Sequence, residues 1–207
     1  MSNRNAAAKV EIQTEEGGER PSARTRIFDK ARELFYRQGI RAVGVETIAT
    51  EAGTTKMSLY RHFPSKDDLT AECLKADQLE FHEWWESVMS PHAGNPRKQL
   101  ETLFQQFQNK ACKGEDESRG CPLANAAVEL TDHKHPGWHV VLEHKSDIRK
   151  RLRALCKEMR ARNPDQLGDQ LMLLMEGAYI TRLVFDAAGP VQAVSKAAKI
   201  LIEEQLS

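Results

Sequence analysis

The sequence predicts an all-α protein, and three observations carry that expectation. Apolar residues recur at the three- and four-residue spacing of a helix along most of the chain. Pro or Gly marks the ends of these stretches, at Gly39, Gly53, Pro64, Pro96, Gly114, Pro122, Pro136, Pro164, Gly189 and Pro190. No four-residue stretch alternates convincingly enough to compete as a strand, and no internal repeat is found. At 207 residues the chain can hold one large domain or two small ones around a substantial core.

The elements follow in order. Residues 1–21 are polar, have Gly17, Gly18 and Pro21 near their end, and read as an N-terminal arm. In the first helix Ile27, Ala31, Leu34 and Phe35 fall at i, i+4, i+7 and i+8, and Gly39 closes it. A short second helix from about Glu46 to Ala52 buries Val45, Ile48 and Ala49 and stops at Gly53. Thr55 caps a third helix through Phe63, where Pro64 ends it. Ser65 caps a fourth, with Asp67 and Asp68 in its positive first turn, running through Leu69, Cys73, Ala76 and Trp84 toward Met89. Further helices are expected over about 96–113, 122–132, 137–162, 164–187 and 191–206.

Composition narrows the function classes. With 40% hydrophobic and 29% charged residues, the chain reads as soluble and globular. Its longest strongly apolar run, Leu171 to Met175, falls far short of the about twenty residues that span a bilayer, so no membrane partner is expected. Cys73, Cys112, Cys121 and Cys156 are scattered, and the N-terminus has no apolar signal segment. A reducing, cytoplasmic location is therefore expected. Lys+Arg and Asp+Glu balance at 30 each, but unevenly along the chain. From Arg20 to Lys66 ten cations meet four anions, a net of +6, which leaves −6 for the remainder. Such a split suggests one part that meets a polyanion and one that does not. There is no GxSxG elbow, P-loop, GxGxxG or HExxH, so neither an enzyme nor a bound cofactor is expected.

Three short helices with a tight turn between the second and third form a helix-turn-helix pattern. In the turn Ala52-Gly53-Thr54-Thr55, Gly53 takes the positive φ that reverses the chain, and Thr55 satisfies the next helix's amides. Leu59 and Phe63 anchor the third helix, leaving Lys56, Ser58, Tyr60, Arg61 and His62 to face outward. Short polar and cationic side chains at a helix start suit major-groove docking. A plain three-helix bundle with a solvated face, or a protein-interaction module, fits the same pattern less well given the local +6 charge.

The residues Ala31, Leu34-Phe35, Gly39, Thr47-Ile48-Ala49, Ala52-Gly53 and Leu59-Tyr60-Arg61-His62-Phe63-Pro64-Ser65-Lys66-Asp67-Asp68-Leu69 closely resemble the N-terminal domain of TetR-family transcriptional regulators. The resemblance spans about 24–70. It implies a helix-turn-helix domain over 22–67 and a helical effector-binding and dimerisation domain over 68–207. It assigns Thr47, Thr55, Lys56, Ser58, Tyr60, His62 and Lys66 to contact with double-stranded operator DNA. Tyr60 and Lys66 would clamp phosphates, and Lys56 and Ser58 would lie near base edges. Two positions depart from the usual pattern: Met57, where many members have Gly, Ala or Pro, and Thr54, where many have a small aliphatic residue; neither change breaks the fold, but both could alter which bases are read. The implied function is that of a homodimeric repressor released from a palindromic operator by a small-molecule effector.

For the remaining helices the resemblance implies dimerisation through the last two. Leu171, Leu174, Ala178 and Phe185 make one apolar stripe of helix 164–187, and Met172, Met175, Tyr179 and Leu183 a second; the final helix adds Val191, Val194, Ala198 and Leu201. A helix apolar on more than one face must be covered on more than one face. The interface expectation is Leu171, Leu174, Ala178, Phe185, Val194, Ala198 and Leu201, although a monomeric core would show the same stripes. Candidate pocket residues are Phe81, Trp84, Trp85, Phe104, Phe107, Trp138, Met172, Met175 and Tyr179, all equally at home in an ordinary core. Glu176, a carboxylate amid apolar residues, needs a partner: Arg182, or a cationic or hydrogen-bonding effector.

Cys121 precedes Pro122, which suits the first position of a helix, so Cys121 is expected at an N-cap where the dipole lowers a thiol pKa. A Gly-Cys element there is similar to one subset of the family that senses electrophiles or oxidants; simple packing is the alternative. His133, His135, His139 and His144 gather near Asp132 and Glu143 without a second ligand pair, so solvated loop histidines are expected instead of a metal site.

Overall fold

A computed structural model describes residues 21–113, 119–185 and 188–206, and among these every regular element is helical. The expectations for 1–20 lie outside the described residues. Helices α1 (Ala23–Gln38), α2 (Val45–Glu51) and α3 (Lys56–His62) form the N-terminal head. Helix α4 (Lys66–Met89) leads into α5 (Pro96–Lys113), α6 (Pro122–Glu129), α7 (Pro136–Glu158), α8 (Pro164–Phe185) and α9 (Val194–Leu206). The expected helix ends hold to within a few residues. Helix α6 stops at Glu129, earlier than expected, and a 3₁₀ turn over Pro190–Ala193 precedes α9.

Local chemistry fixes the head. The Ser22 hydroxyl accepts from the Thr25 amide, Thr55 from the Ser58 amide and Ser65 from the Asp68 amide, so α1, α3 and α4 each begin on a side-chain cap. Ile27, Ala31, Ile48, Leu59 and Phe63 are buried together. That core runs past residue 67: Leu69, Cys73 and Leu74 of α4, Leu123 and Ala126 of α6, and Val140 and Val141 of α7 belong to it.

A second core lies behind, where α4's far end contributes Trp85, Val88 and Met89 beside Phe104, Leu152, Leu167, Leu171 and Ile202. At 24 residues, α4 spans roughly 36 Å and enters both cores. Tyr179 of α8 packs against both as well.

The register of α8 sets most of the residues expected at an interface against the second core. Leu171, Ala178, Val194 and Ala198 face the second core and are buried there, while Leu174 and Leu201 are half-buried against it. Of the residues expected at an interface, Phe185 alone is exposed. The outward stripe of α8 is instead Leu173 (71% exposed), Ile180 and Val184 (70% exposed), with open space above Gly177 between them. These positions fall at i, i+4, i+7 and i+11, one helical face. Helix α8 is apolar nearly all round, and α7 and α9 claim the stripe Leu167, Leu171, Met175 and Ala178.

The histidines also differ from expectation. His133 and His139 are exposed, with His133 stacked on Trp138 at 4.4 Å. His135 caps α7 by accepting from the Gly137 amide and lies 3.2 Å from Asp67. His144 is buried inside α7, its ring edge-on to Phe81 at 4.9 Å and its Nδ1 without a hydrogen-bond partner. Burial, and then Lys145 and His82, lower its pKa to about 4. Among the described residues no group of three potential ligands could hold a metal ion. No helix there is long and apolar enough to cross a membrane.

Candidate nucleic-acid interface and adjoining cavity

The turn between α2 and α3 is held from both sides. Gly53 has φ +61°, which reverses the chain, and the Thr54 amide donates back to the Ala49 carbonyl at 2.9 Å. From α1, Arg26 Nε donates to the Ala52 carbonyl at 3.1 Å. With Leu59 and Phe63 buried, the opposite face of α3 is set by geometry. At about 100° per residue, Met57 and Arg61 point most directly away from that seam, with Tyr60 next to them. All three are exposed, Met57 by 75%.

The residues expected at DNA divide. Thr47, Thr55, Lys56 and Tyr60 are exposed, and Ser58 and His62 are half-buried. Lys56 is engaged: its Nζ lies 3.1 Å from Glu46 Oε1. Lys66 departs from its expected role, because its Nζ donates inward to the Ile40 carbonyl at 2.6 Å and lies 5.9 Å from the centre of the Phe35 ring. Burial holds that amine below the usual lysine range. Sequence reasoning singled out Met57 as a departure bearing on which bases are read, and placed Arg61 outward without assigning it a contact.

Behind the head lies a cavity of about 270 Å³. Of the pocket expectations, Phe81, Trp84, Phe107, Cys121 and Tyr179 line it. Trp85, Phe104 and Met175 are packed within the second core instead, Met172 packs at its edge, and Trp138 stacks against the first core. The residues that sequence reasoning missed include Tyr36, Asp77, Lys110 and Arg182, which come from four different helices. Phe107 meets Tyr179 edge-on at 4.9 Å, and the Lys110 ammonium sits 5.3 Å from the centre of the Trp84 ring. At the rim, Arg32 of α1 bridges Asp77 and Glu80 of α4 at 2.6 Å and 2.5 Å. Burial pushes the Asp77 carboxyl up by more than the facing guanidinium pulls it down.

One wall belongs to the head. The Tyr36 hydroxyl of α1 accepts from the Arg119 amide at 2.9 Å and donates to the Gly120 carbonyl at 3.3 Å, next to Cys121. Arg119 Nη1 in turn donates to the Arg37 carbonyl at 3.0 Å. Nearby, Glu129 of α6 accepts from the Arg41 amide at 2.9 Å and covers Gly39. Three bonds therefore fasten the end of α1 to the segment that starts α6.

The family model for bacterial regulatory proteins of the tetR family matches residues 27–73, which hold the whole helix-turn-helix. Solved structures share the full architecture. A TetR-family regulator from Streptomyces coelicolor superposes with a TM-score of 0.81 at 24% identity, covering 89% of this chain and 96% of that one. One from Streptomyces avermitilis gives 0.77 at 29% identity, covering 89% and 98%. The region 27–73 thus matches the tetR-family helix-turn-helix domain, and the rest of the chain shares the fold of these regulators. A transcriptional regulator from Saccharomonospora viridis, solved in complex with choline, gives a TM-score of 0.72 at 21% identity and covers 87% and 95%. Among curated relatives, the HTH-type transcriptional repressor KstR2 of Mycobacterium tuberculosis is 33% identical over 91 residues, 42% of this chain and 43% of the relative. KstR2 of Rhodococcus jostii is 44% identical over 52 residues, 25% and 26% of the two chains. The match thus spans less than half the length of the curated relatives.

Two further expectations change. Cys121 does cap α6 beside Pro122, but it is buried, and burial raises its thiol pKa. The nearby Lys145 charge and the Ala124 amide pull the other way and lose. Cys73 and Cys156 are buried too, Cys156 pushed up to about 12, while the side chain of Cys112 lies outside the described residues. Glu176 is paired with Lys145, Nζ to Oε1 at 2.6 Å, and not with Arg182.

Proposed function

We propose that this chain is a homodimeric, DNA-binding transcriptional repressor whose grip on a palindromic operator is loosened by a small molecule in the cavity behind the head. Residues 22–67 read the duplex, with α3 in the major groove. Residues 68–207 supply the effector site and the contact between two copies. The observation that carries this reading is the outward face of α3, set opposite a buried seam on a turn held by Arg26 and Gly53. Tyr36 supports the effector arm, because one side chain of the head lines the cavity and fastens the chain beside it. A ligand that prefers the cavity with that bond broken would shift the population away from the arrangement that fits DNA. The outward stripe Leu173, Gly177, Ile180 and Val184 is the surface proposed to meet a second copy.

Selection of duplexes from a random pool by the full-length protein tests both halves. The wild type should enrich a near-palindrome, whereas Leu173→Glu should remain folded, sediment as a monomer and enrich none. Enrichment of an asymmetric site, or of nothing, contradicts the proposal. For the effector arm, small molecules can be screened in a variant whose only tryptophan is Trp84. Those that quench its fluorescence should also weaken DNA binding.

A further inference from the structure

Met57 lies outside both cores. It sits in the first turn of α3 and is the most exposed large apolar side chain among the described residues, at 75%. The core is closed beneath it by Leu59 and Phe63, both fully buried. Its neighbours on the outer face are Tyr60 and Arg61, at i+3 and i+4. Lys56, the adjacent cation, is drawn aside toward Glu46. The most exposed apolar side chain of the helix that would enter the groove is therefore an unbranched thioether.

The chemistry of that group restricts what it can read. A thioether donates no hydrogen bond and accepts only weakly, so neither phosphates nor the polar base edges reward it. What it offers is flexible, polarisable apolar surface. Among base edges in the major groove, the apolar group on display is the C5-methyl of thymine. We infer that Met57 is a specificity-determining residue that packs against a thymine methyl in each operator half-site; this rests on the DNA-binding reading above. Burying one methyl-sized group predicts a preference of about fourfold at that position.

Uracil lacks only the methyl, so it isolates the contact. Sites are first selected from random duplexes with the full-length wild type, with Met57→Ala and with Met57→Leu. Each thymine of the preferred site is then replaced singly by deoxyuridine. One thymine per half-site should lose about fourfold in affinity on replacement for the wild type and for Met57→Leu. Met57→Ala should show no penalty there and a relaxed preference at that position, with an unchanged melting temperature because the side chain is exposed. Its salt dependence should also stay unchanged, because no phosphate contact is lost. If Met57→Ala enriches the same thymine with the same uracil penalty, or if no thymine is sensitive in the wild type, the inference fails while DNA binding stands. If the wild type enriches no sequence at all, both fail.

Discussion

In the head each short helix has one apolar side and one polar side; in α8 apolar residues surround the cylinder. The difference decides how each region can be used. Helix α3 has a single way to pack, with Leu59 and Phe63 inward, so its outer face is fixed before any partner arrives. Helix α8 carries two apolar stripes, and its own core takes only one. The head thus presents polar groups around one exposed methionine, whereas the helical domain presents a continuous apolar stripe. The first pattern suits a polar polymer, and the second suits another copy of the same protein.

The largest effect should come from charging the two stripes separately. Leu171→Glu puts a carboxylate into the second core and should cost on the order of 3–5 kcal/mol. Leu173→Glu, two residues on, should leave the melting temperature of the monomer fold nearly unchanged and abolish self-association. Circular dichroism melts with sedimentation velocity separate the two. Equal behaviour of both variants would remove the distinction between the stripes.

Acid should act next, and on the helical domain first. His144 is buried and neutral, with its pKa lowered to about 4 from the ordinary 6.5. Between these values the unfolded chain binds more protons than the folded one, so stability falls as pH drops. It is unaffected above that window. The slope should approach about 1.4 kcal/mol per pH unit inside it. Urea unfolding across the window measures it, and His144→Leu should flatten it.

A smaller change is expected where the two regions join. Glu129→Ala removes the acceptor for the Arg41 amide and should cost about 1 kcal/mol. Hydrogen exchange at Arg41 should quicken while the amides of α8 stay protected. The smallest effect belongs to the exposed pair on the head. Glu46→Ala should change stability by less than about 0.5 kcal/mol, yet raise DNA affinity by releasing Lys56. Unchanged affinity would remove Lys56 from the interface.

The same contrast explains what was legible in the sequence. Caps at Thr55 and Ser65, the turn at Gly53 and the buried seam of α3 are local, and a one-sided helix leaves no choice of register. Which stripe of α8 stays outward was not legible, because spacing shows that stripes exist without saying which one the chain itself covers. The cavity was half legible. Phe81, Trp84, Phe107 and Tyr179 announce themselves as aromatic, but Tyr36 and Arg182 reach it only through the packing of helices distant in sequence. For Cys121 the N-cap was read correctly, yet burial, which reverses the effect on its thiol, depends on neighbours from other helices. Lys66 turns inward for the Ile40 carbonyl, 26 residues away in sequence, a choice its charge alone does not reveal.

The measurement closest to the central claim is fluorescence anisotropy of the full-length protein on its selected duplex and on a scrambled duplex of the same composition, across a salt series. The selected duplex should bind at least about 10³-fold more tightly. Affinity should also fall linearly on a log–log salt plot, with a slope of about −0.9 per phosphate neutralised. Equal affinity for the two duplexes, or binding that ignores salt, would contradict the assignment of α3 as a reading helix.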